Sequence, residues 1–450
     1  MEHHDFFFTD LGKPPIFTDK EYFQKKYVFD LSNEVVPQER QKAKITLFEQ
    51  NLLRLIARQQ ALSLDQLYRI YNAYFPIKYK TLRMKLNRWG EKKILHVRRP
   101  SIKNAMMLHN IYSIGKVGLK ILAIEDGEEW LEVNNNLFKE KTNYTHGIGQ
   151  QEVVVQLMLH YMKHNIHFES IAPYSLFGVD KSLGIPDWFL KYRSDEKNEH
   201  NLFIEFDANS EKLNALNDKH KAYIQRAIEN PDENITVLYS LIDEEFHYRI
   251  LKPPSGPKRV SNFKSYFAEP NIVLPKNLTI NVHYLNRVGP ATEYLFLPQD
   301  IKAKLNILEK HFVNEFHLNV DHVLSKDFYM QEIPKEHYAD GIWELRNTEG
   351  LLEERILVVV AQEGDIRSFQ RIDSLFHAIK KRRLVSTVHR LVIIYNDDIS
   401  SLSDSHGTKF DRSVLTTDVE SLVNKSKKPF RSFYGVFKTK QTEYPLEKKE

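Results

Sequence analysis

The stretch SLDQLYRIYNAYFPIKYKTLRMKLNRWG, residues 63–90, decides the fold of the N-terminal part of the chain. It opens on Ser63 with Gln66 three residues later, the capping-box spacing in which each side chain satisfies a backbone N–H at a helix start. Apolar residues recur at helical spacing as far as Tyr71, and a second periodic run follows a proline and ends near Gly90. The stretch therefore predicts two consecutive helices.

The second of these helices has an apolar side and a basic side. Its predicted buried residues are Tyr79, Leu82, Leu86 and Trp89, and its predicted exposed cations are Lys78, Lys80, Arg83, Lys85 and Arg88. From Lys78 to Arg99 the chain has nine Lys or Arg residues and one acid, Glu91. A solvated helix face usually mixes both signs of charge, so this pattern favours a nucleic-acid surface over a plain solvated face.

The flanking segments complete a recognisable order of elements. An earlier helix places Phe48, Leu52, Leu55 and Ile56 on one side, and two strand-like runs, Ile94–Val97 and Met106–Ile114, follow the basic helix. Arg98 and Arg99 lie at the tip of the hairpin between these runs. This order predicts a winged helix-turn-helix that binds double-stranded DNA, with the basic helix in the major groove and the wing on flanking phosphates. A winged helix that binds protein is the alternative.

Composition limits the class of protein. The chain has 450 residues, of which 42% are hydrophobic and 28% charged, as in a soluble protein of about three domains. The net charge is only +4, so any DNA-binding surface must be local. The absence of cysteine excludes disulfides, thiolate zinc sites and cysteine catalysis, and it fits a reducing compartment. With no long apolar run and no secretory signal pattern, we predict a cytoplasmic protein without a membrane partner.

Changes in composition suggest the domain boundaries. Residues 126–141 are acidic and rich in asparagine, and LKPPSGPKR at residues 251–259 interrupts both helical and strand periodicity. The predicted parts are an N-terminal arm at 1–42, the winged helix-turn-helix at 43–125, an α/β domain at 142–252 and a C-terminal α/β domain at 260–440.

Two acidic motifs mark the domain at 142–252. Pro186-Asp187 precedes one predicted strand, and Glu205-Phe206-Asp207 ends the next. The order helix, strands, helix, strand is the skeleton of the PD-(D/E)XK nuclease fold. Phosphodiester hydrolysis calls for acidic ligands that hold Mg²⁺ and leave room for water, and neighbouring strands lie about 4.8 Å apart. Asp187, Glu205 and Asp207 are therefore candidate catalytic residues and ligands for Mg²⁺ or Mn²⁺.

One position departs from that pattern. The lysine expected two residues after Glu205 is Asp207, and Lys219 on the following helix is the candidate replacement for the missing cation. Glu152 is a candidate further ligand or orienting group. Two alternatives stay open: a Mg²⁺-dependent endodeoxyribonuclease, or a decayed nuclease fold that uses no cofactor.

The sequence resembles the replication-relaxation family of plasmid and mobile-element proteins over about residues 43–240. The resemblance lies in LLRLIARQQALSLDQLYRIY, YSIGKVGLKIL, His146 before a helix, GIPDWFLKY, LFIEFDANSE, and Lys219 with Tyr223. It implies a role in plasmid replication, relaxation or mobilisation, with DNA binding as the shared activity. It does not imply cleavage.

The C-terminal domain repeats part of this pattern. HYADGIWELR, residues 337–346, parallels GIPDWFLKY, and Asp340 keeps the first acid. Val360 or Ala361 is expected where Glu205 stands, and Arg371 or Arg382 on the helix that follows. We predict a degenerate second copy that positions DNA or pairs with another subunit. The alternative is an unrelated strand-helix-strand unit, since such units recur widely.

These observations favour a DNA-binding initiator or accessory factor of a plasmid or mobile element. The alternatives are a metal-dependent endonuclease or nickase, and a winged-helix transcriptional regulator. The expected partners are double-stranded DNA, a second copy of the chain, and replication or mobilisation proteins.

Overall fold

The computed structural model describes residues 26–30, 42–74, 76–98, 110–127, 144–162, 168–171, 186–193, 199–207, 213–242, 257–268, 273–295, 297, 299–325, 328–329, 333–405, 410–433 and 439–444. They form a mixed α/β protein with two compact units. Unit 1 comprises Met1–Pro254 and Leu285–Pro290, and unit 2 comprises Ser255–Tyr284 and Ala291–Glu450. Within the described ranges, every helix is too short or too polar to cross a membrane.

Unit 1 has a strand pair where the sequence predicted an arm. β1 (Lys26–Asp30) is antiparallel to β2 (Lys42–Thr46), with Lys26 opposite Thr46. The first 25 residues of the predicted arm lie outside the described residues. α1 (Leu47–Arg58) begins directly after β2 with a capping box between Thr46 and Glu49. The sequence did not predict this strand pair because the partner of β1 lies almost entirely beyond residue 42, the predicted end of the arm. Local periodicity does not show a pairing between separate segments.

The two predicted helices follow. α2 (Leu64–Tyr74) begins after the short strand β3 (Leu62–Ser63), and α3 (Tyr79–Glu91) comes next. The backbone N–H of Ser63 donates to Gln66 Oε1 over 2.9 Å, and that of Gln66 donates to Ser63 Oγ over 3.2 Å. This reciprocal pair confirms the predicted helix start.

A small sheet packs beside these helices. β4 (Leu95–Arg98) and β5 (Ile111–Ile114) are antiparallel, and the strand order is β3-β5-β4. α4 (Lys116–Asp126) completes this part of unit 1. The sequence predicted that Gly90 ends α3, but the helix continues to Glu91. A Cβ at Gly90 would lie 2.4 Å from Cγ2 of Val97, so glycine is needed where β4 approaches the helix.

The rest of unit 1 is built on a second sheet. α5 (Tyr144–Met162) precedes β6 (Phe168–Ile171), β7 (Trp188–Arg193) and β8 (Glu199–Asp207), which are antiparallel neighbours. α6 (Leu213–Glu229) then leads to β9 (Asn234–Leu241), which is parallel to β8. Phe206 packs towards α5 and Glu205 towards α6. Because successive strand residues face opposite sides, the two helices cover opposite faces of the sheet.

Unit 2 contains a larger sheet of seven strands, which lie side by side in chain order. They are β11 (Asn319–His322), β12 (Gly341–Arg346), β13 (Leu352–Val360), β14 (Arg390–Tyr395), β15 (Val414–Asp418), β16 (Phe430–Phe433) and β17 (Thr439–Thr442). The pairs from β13 to β15 are parallel and the outer pairs are antiparallel. One more strand of unit 2, β10 (Leu278–Tyr284), precedes these seven in the chain. The helices of unit 2 are α7 (Pro257–Phe267), α9 (Ile301–Phe316), α10 (Ile366–Lys380), α11 (Asp398–Ser405) and α12 (Val419–Val423). The short helix α8 (Val288–Ala291) has its first three residues in unit 1.

The two units share an order of elements. In unit 1, α5 is followed by three antiparallel strands, the helix α6 and a strand parallel to β8. In unit 2, α9 is followed by three antiparallel strands, the helix α10 and a strand parallel to β13. The two units therefore share one topology over these elements, and a duplication stays a prediction.

Candidate functional site

Most of the predicted DNA-contacting side chains lie on the exposed side of α3. Leu82, Leu86 and Trp89 are buried, whereas Lys78, Lys80, Arg83 and Arg88 are exposed. Within the described ranges, none of these four cations forms an ion pair. The helix therefore presents several positive charges to solvent on one side.

Two of the other predicted cations are engaged, and one is not described. Lys85 forms an ion pair with the buried carboxylate of Glu49, which also caps α1. Arg98, on β4, donates to the His96 ring over 3.4 Å. Arg99 lies outside the described residues, as does most of the predicted wing. Lys85 is thus less available to DNA than its neighbours on α3.

The predicted carboxylates come together at one end of the second sheet. Trp188 pairs with Ile204, so Asp187 precedes β7 beside the last residues of β8. The backbone N–H of Phe206 donates to Asp187 Oδ2 over 2.8 Å. Glu205 and Asp207 are each only 3% exposed. The sequence thus places both acidic motifs on neighbouring strands, as the motif order predicted.

Both carboxylate oxygens of Glu205 have partners on α6. Lys219 Nζ lies 2.6 Å from Oε2, and the Tyr223 hydroxyl donates to Oε1 over 2.6 Å. Burial, together with the negative charge of Asp187, raises the pKa of Glu205 to about 7, against the opposing effect of Lys219 and Tyr223. Such a carboxyl group can exchange its proton near neutral pH.

Two side chains of α5 contact Asp187. His146 Nε2 lies 2.9 Å from Asp187 Oδ1, and the side chain of Gln150 donates to the Asp187 backbone carbonyl. Burial acts to raise the pKa of Asp187, but the hydrogen bond and charge of His146 and the charge of Lys219 outweigh it and hold that pKa below its usual value. The two neighbouring carboxyl groups therefore differ in their affinity for protons, as expected where like charges lie close together.

As arranged, these side chains do not fit a divalent cation. Mg²⁺ and Mn²⁺ need free carboxylate oxygens, whereas Lys219 and Tyr223 engage Glu205, and His146 and the Phe206 N–H engage Asp187. Over the ranges that the structure describes, no three His, Asp or Glu side chains are grouped as a metal site. A cation would first have to displace Lys219 from Glu205.

Two polar pairs on the flanking helices complete the site. His146 and Gln150 are four residues apart on α5, and Lys219 and Tyr223 are four residues apart on α6. Side chains at that spacing lie on one helix face, so each helix contributes a polar pair to the site. This spacing was the available signal for His146 and Gln150, which the motif reasoning did not assign to the site.

Glu152, predicted as a further ligand or orienting group of the carboxylate site, contacts α2 instead. Gln66 Nε2 donates to Glu152 Oε2 over 3.1 Å, and Arg69 forms an ion pair with the same oxygen. Gln66 also donates to the Ile148 carbonyl over 3.1 Å. Glu152 therefore joins α5 to α2, while His146, six residues earlier on α5, contacts Asp187.

The corresponding positions in unit 2 carry one acid, Asp340. The backbone N–H of Val360 donates to Asp340 Oδ2 over 2.7 Å, as that of Phe206 does to Asp187. By this register, Val359 stands where Glu205 stands, rather than Val360 or Ala361. Arg371 Nη1 and Nη2 lie 3.1 and 2.9 Å from the Asp340 oxygens. An arginine thus neutralises the remaining carboxylate.

The comparison with protein families agrees with the resemblance in the sequence. Residues 53–238 match the family model described as replication-relaxation. No curated protein and no solved structure matches the chain. The matched segment contains α2, α3 and the carboxylate site.

Proposed function

We propose that the chain, of which residues 53–238 match the replication-relaxation family model, binds DNA and acts in the replication initiation, relaxation or mobilisation of a plasmid or mobile element. The observation that carries the proposal is the exposed side of α3. Lys78, Lys80, Arg83 and Arg88 are solvent-exposed there, and replacing condensed counterions on DNA with such side chains drives binding.

The fold around α3 supports a winged helix-turn-helix. α2 and α3 are consecutive helices, and β4 and β5 form an antiparallel pair where such a domain has the strands of its wing. In this class of domain the second helix enters the major groove, where its exposed side chains reach bases and phosphates. We place α3 in the groove and Arg98 and Arg99 beside the flanking backbone.

A sequence selection from random duplex DNA tests this proposal. We expect repeated sites that overlap a replication or transfer origin, and loss of plasmid maintenance when Arg83 and Arg88 are both changed to glutamine. Inverted half-sites about one helical turn apart would support a homodimer. Sites confined to promoters, with normal plasmid maintenance, would instead indicate a transcriptional regulator. If the selection yields no site at all, the DNA-binding proposal is contradicted.

A second candidate is a metal-dependent endonuclease with a PD-(D/E)XK-like core. The placement of Asp187 and Glu205 on adjacent strands favours it, as does Lys219 on the next helix. In such an enzyme Asp187, Glu205 and Asp207 would be the ligands of Mg²⁺ or Mn²⁺, and the ion would supply positive charge beside the scissile phosphate. The arrangement in this structure, with Lys219 on Glu205, does not fit that ion. The nuclease would be established if the wild type nicks supercoiled plasmid in Mn²⁺ and neither Asp187→Asn nor Glu205→Gln does. If the wild type does not nick the plasmid, the nuclease hypothesis is contradicted.

A further inference from the structure

The exposed side of α3 has an apolar side chain at its centre. Met84 is 44% exposed, and it is the large apolar residue of Tyr79–Glu91 that faces solvent. It follows the buried Leu82 by two residues, which turns it about 200° around the helix, so it lies almost opposite the side that packs on the core. A single exposed apolar residue is common on protein surfaces, so the surroundings of Met84 decide what it can contact.

Cations surround Met84 on that side of the helix. Lys80 and Arg88 lie four residues before and after it, so they stand one turn away on either side, and Arg83 precedes it directly. All three cations are exposed. The acid Glu91 is seven residues further on, at the end of the helix. A partner that covers Met84 must therefore accept several positive charges, which favours DNA over the apolar centre of a protein interface.

Thr81 adds a second methyl group to the same side. It is exposed and precedes Met84 by three residues, and residues at that spacing are neighbours on a helix surface. Both residues belong to the first half of α3. In helix-turn-helix domains the N-terminal part of the second helix contacts base edges, whereas contacts to phosphates position the protein. Two side chains with methyl groups thus stand where a helix of this class reads bases.

We propose that Met84 and Thr81 contact the C5 methyl groups of thymine in the major groove, and that the protein selects thymine at the positions these side chains reach. The inference rests on the proposed DNA binding and adds to it the class of base that α3 reads. In the major groove the C5 methyl group distinguishes thymine from the other bases of unmodified DNA, and apolar side chains are its matching contacts. The cations around Met84 bind phosphates and carry no sequence information directly.

Replacing thymidine by deoxyuridine tests the proposal, because this change removes the C5 methyl group and leaves every base-pairing group in place. The probe is an unmodified duplex that the full chain selects from random DNA, and its match has deoxyuridine at all thymidine positions. We expect the wild type to bind the deoxyuridine duplex about fourfold more weakly for each methyl group that it contacts, since removing one methyl group from water corresponds to a change of that size. Exchanging the thymidines one at a time then locates the contacted bases.

Variants of the protein separate a methyl contact from an effect of DNA shape. Met84→Ala and Thr81→Ser each remove a methyl group from α3, and Thr81→Ser keeps the hydroxyl group. Each change alone should lower the ratio of the two affinities part of the way, and both together should bring it close to one. Ile124→Ala is the matched control, because Ile124 is an exposed apolar residue, 72% exposed, that lies on α4. It should keep the ratio of the wild type.

The outcomes distinguish this inference from the proposed function. Equal binding of both duplexes by the wild type would overturn the thymine contact and leave DNA binding intact. An unchanged affinity ratio in the double variant would also overturn it, because the protein would then respond to the shape of the DNA and not to the methyl group through α3. If the wild type selects no duplex at all, DNA binding itself is contradicted, and the inference fails with it.

Discussion

Lys219 lies on the helix that follows the strand of Glu205, and its Nζ is 2.6 Å from Glu205 Oε2. The lysine therefore occupies the oxygen that a divalent cation at this site would need. Lysine and metal are expected to compete, which gives the metal hypothesis a direct test.

Changing Lys219 to methionine should make the site bind Mn²⁺ more tightly than the wild type does. The change frees Glu205 Oε2 and leaves two buried acids, Glu205 and Asp207, close to Asp187. Thermal unfolding with and without Mn²⁺ at pH 8.5 measures the effect, since a ligand at ten times its dissociation constant stabilises by about 1.4 kcal/mol. Adding Asp187→Asn to the variant should abolish the gain. Equal Mn²⁺ responses in Lys219→Met and the wild type would contradict a metal role for these acids.

The stability of unit 1 should depend on the charge of Glu205. Its pKa is raised from 4.5 to about 7, so the folded state holds its proton more tightly than the unfolded state does. The stabilisation is complete below pH 4.5 and is lost as the pH rises through 7. Glu205→Gln should therefore be less destabilising at pH 8 than at pH 5, by on the order of 2 kcal/mol.

Urea unfolding of both proteins at several pH values measures that difference. Comparison with the wild type at each pH removes the contribution of His220, whose pKa burial lowers to about 4 and whose stabilisation is lost as the pH falls below 6.5. A difference between Glu205→Gln and the wild type that stays constant from pH 5 to pH 8 would show that the pKa of Glu205 is not raised.

The cations of α3 should contribute unequally to DNA binding. Changing Arg83 and Arg88 together to glutamine should reduce the slope of log affinity against log salt concentration by roughly two, because each phosphate contact contributes about 0.9. Lys85→Gln is the matched control on the same helix, since Glu49 already engages that lysine. We expect a much smaller change of slope for it. An equal loss in both variants would mean that the exposed side of α3 is not the contact surface.

Glu152 should be important for stability and not for metal binding. It accepts from Gln66 and pairs with Arg69, and its side chain is only 7% exposed. Glu152→Ala should cost about 2 kcal/mol, because buried partners of a charged group lose their hydrogen bonds. Asp65→Asn removes the other, more exposed partner of Arg69 and should cost less than about 0.5 kcal/mol. Similar losses in urea unfolding would show that the α2–α5 contact is weak.

Spacing in the sequence predicted structure within single helices, but it did not predict contacts between residues that are far apart in the chain. The Ser63–Gln66 capping box and the buried residues of α3 follow from spacing within one helix. Glu49 and Lys85 are 36 positions apart, and Arg69 and Glu152 are 83 positions apart. Periodicity within one helix cannot predict such pairs. The equivalence of Val359 with Glu205 depends on register, and a shift of one residue places a side chain on the opposite face of the sheet.

The Asp340–Arg371 pair in unit 2 should show energetic coupling. Arg371 contacts both Asp340 oxygens and also donates to the Val360 carbonyl over 2.8 Å, and the side chains of the pair are 14% and 18% exposed. Arg371→Met alone leaves the half-buried Asp340 charge without its cation and should cost about 3 kcal/mol. Adding Asp340→Asn removes that charge while the amide oxygen can still accept from the Val360 N–H, so the double variant should recover part of the loss. A double-mutant cycle by urea unfolding measures this coupling. Strictly additive losses would mean that Arg371 does not neutralise Asp340.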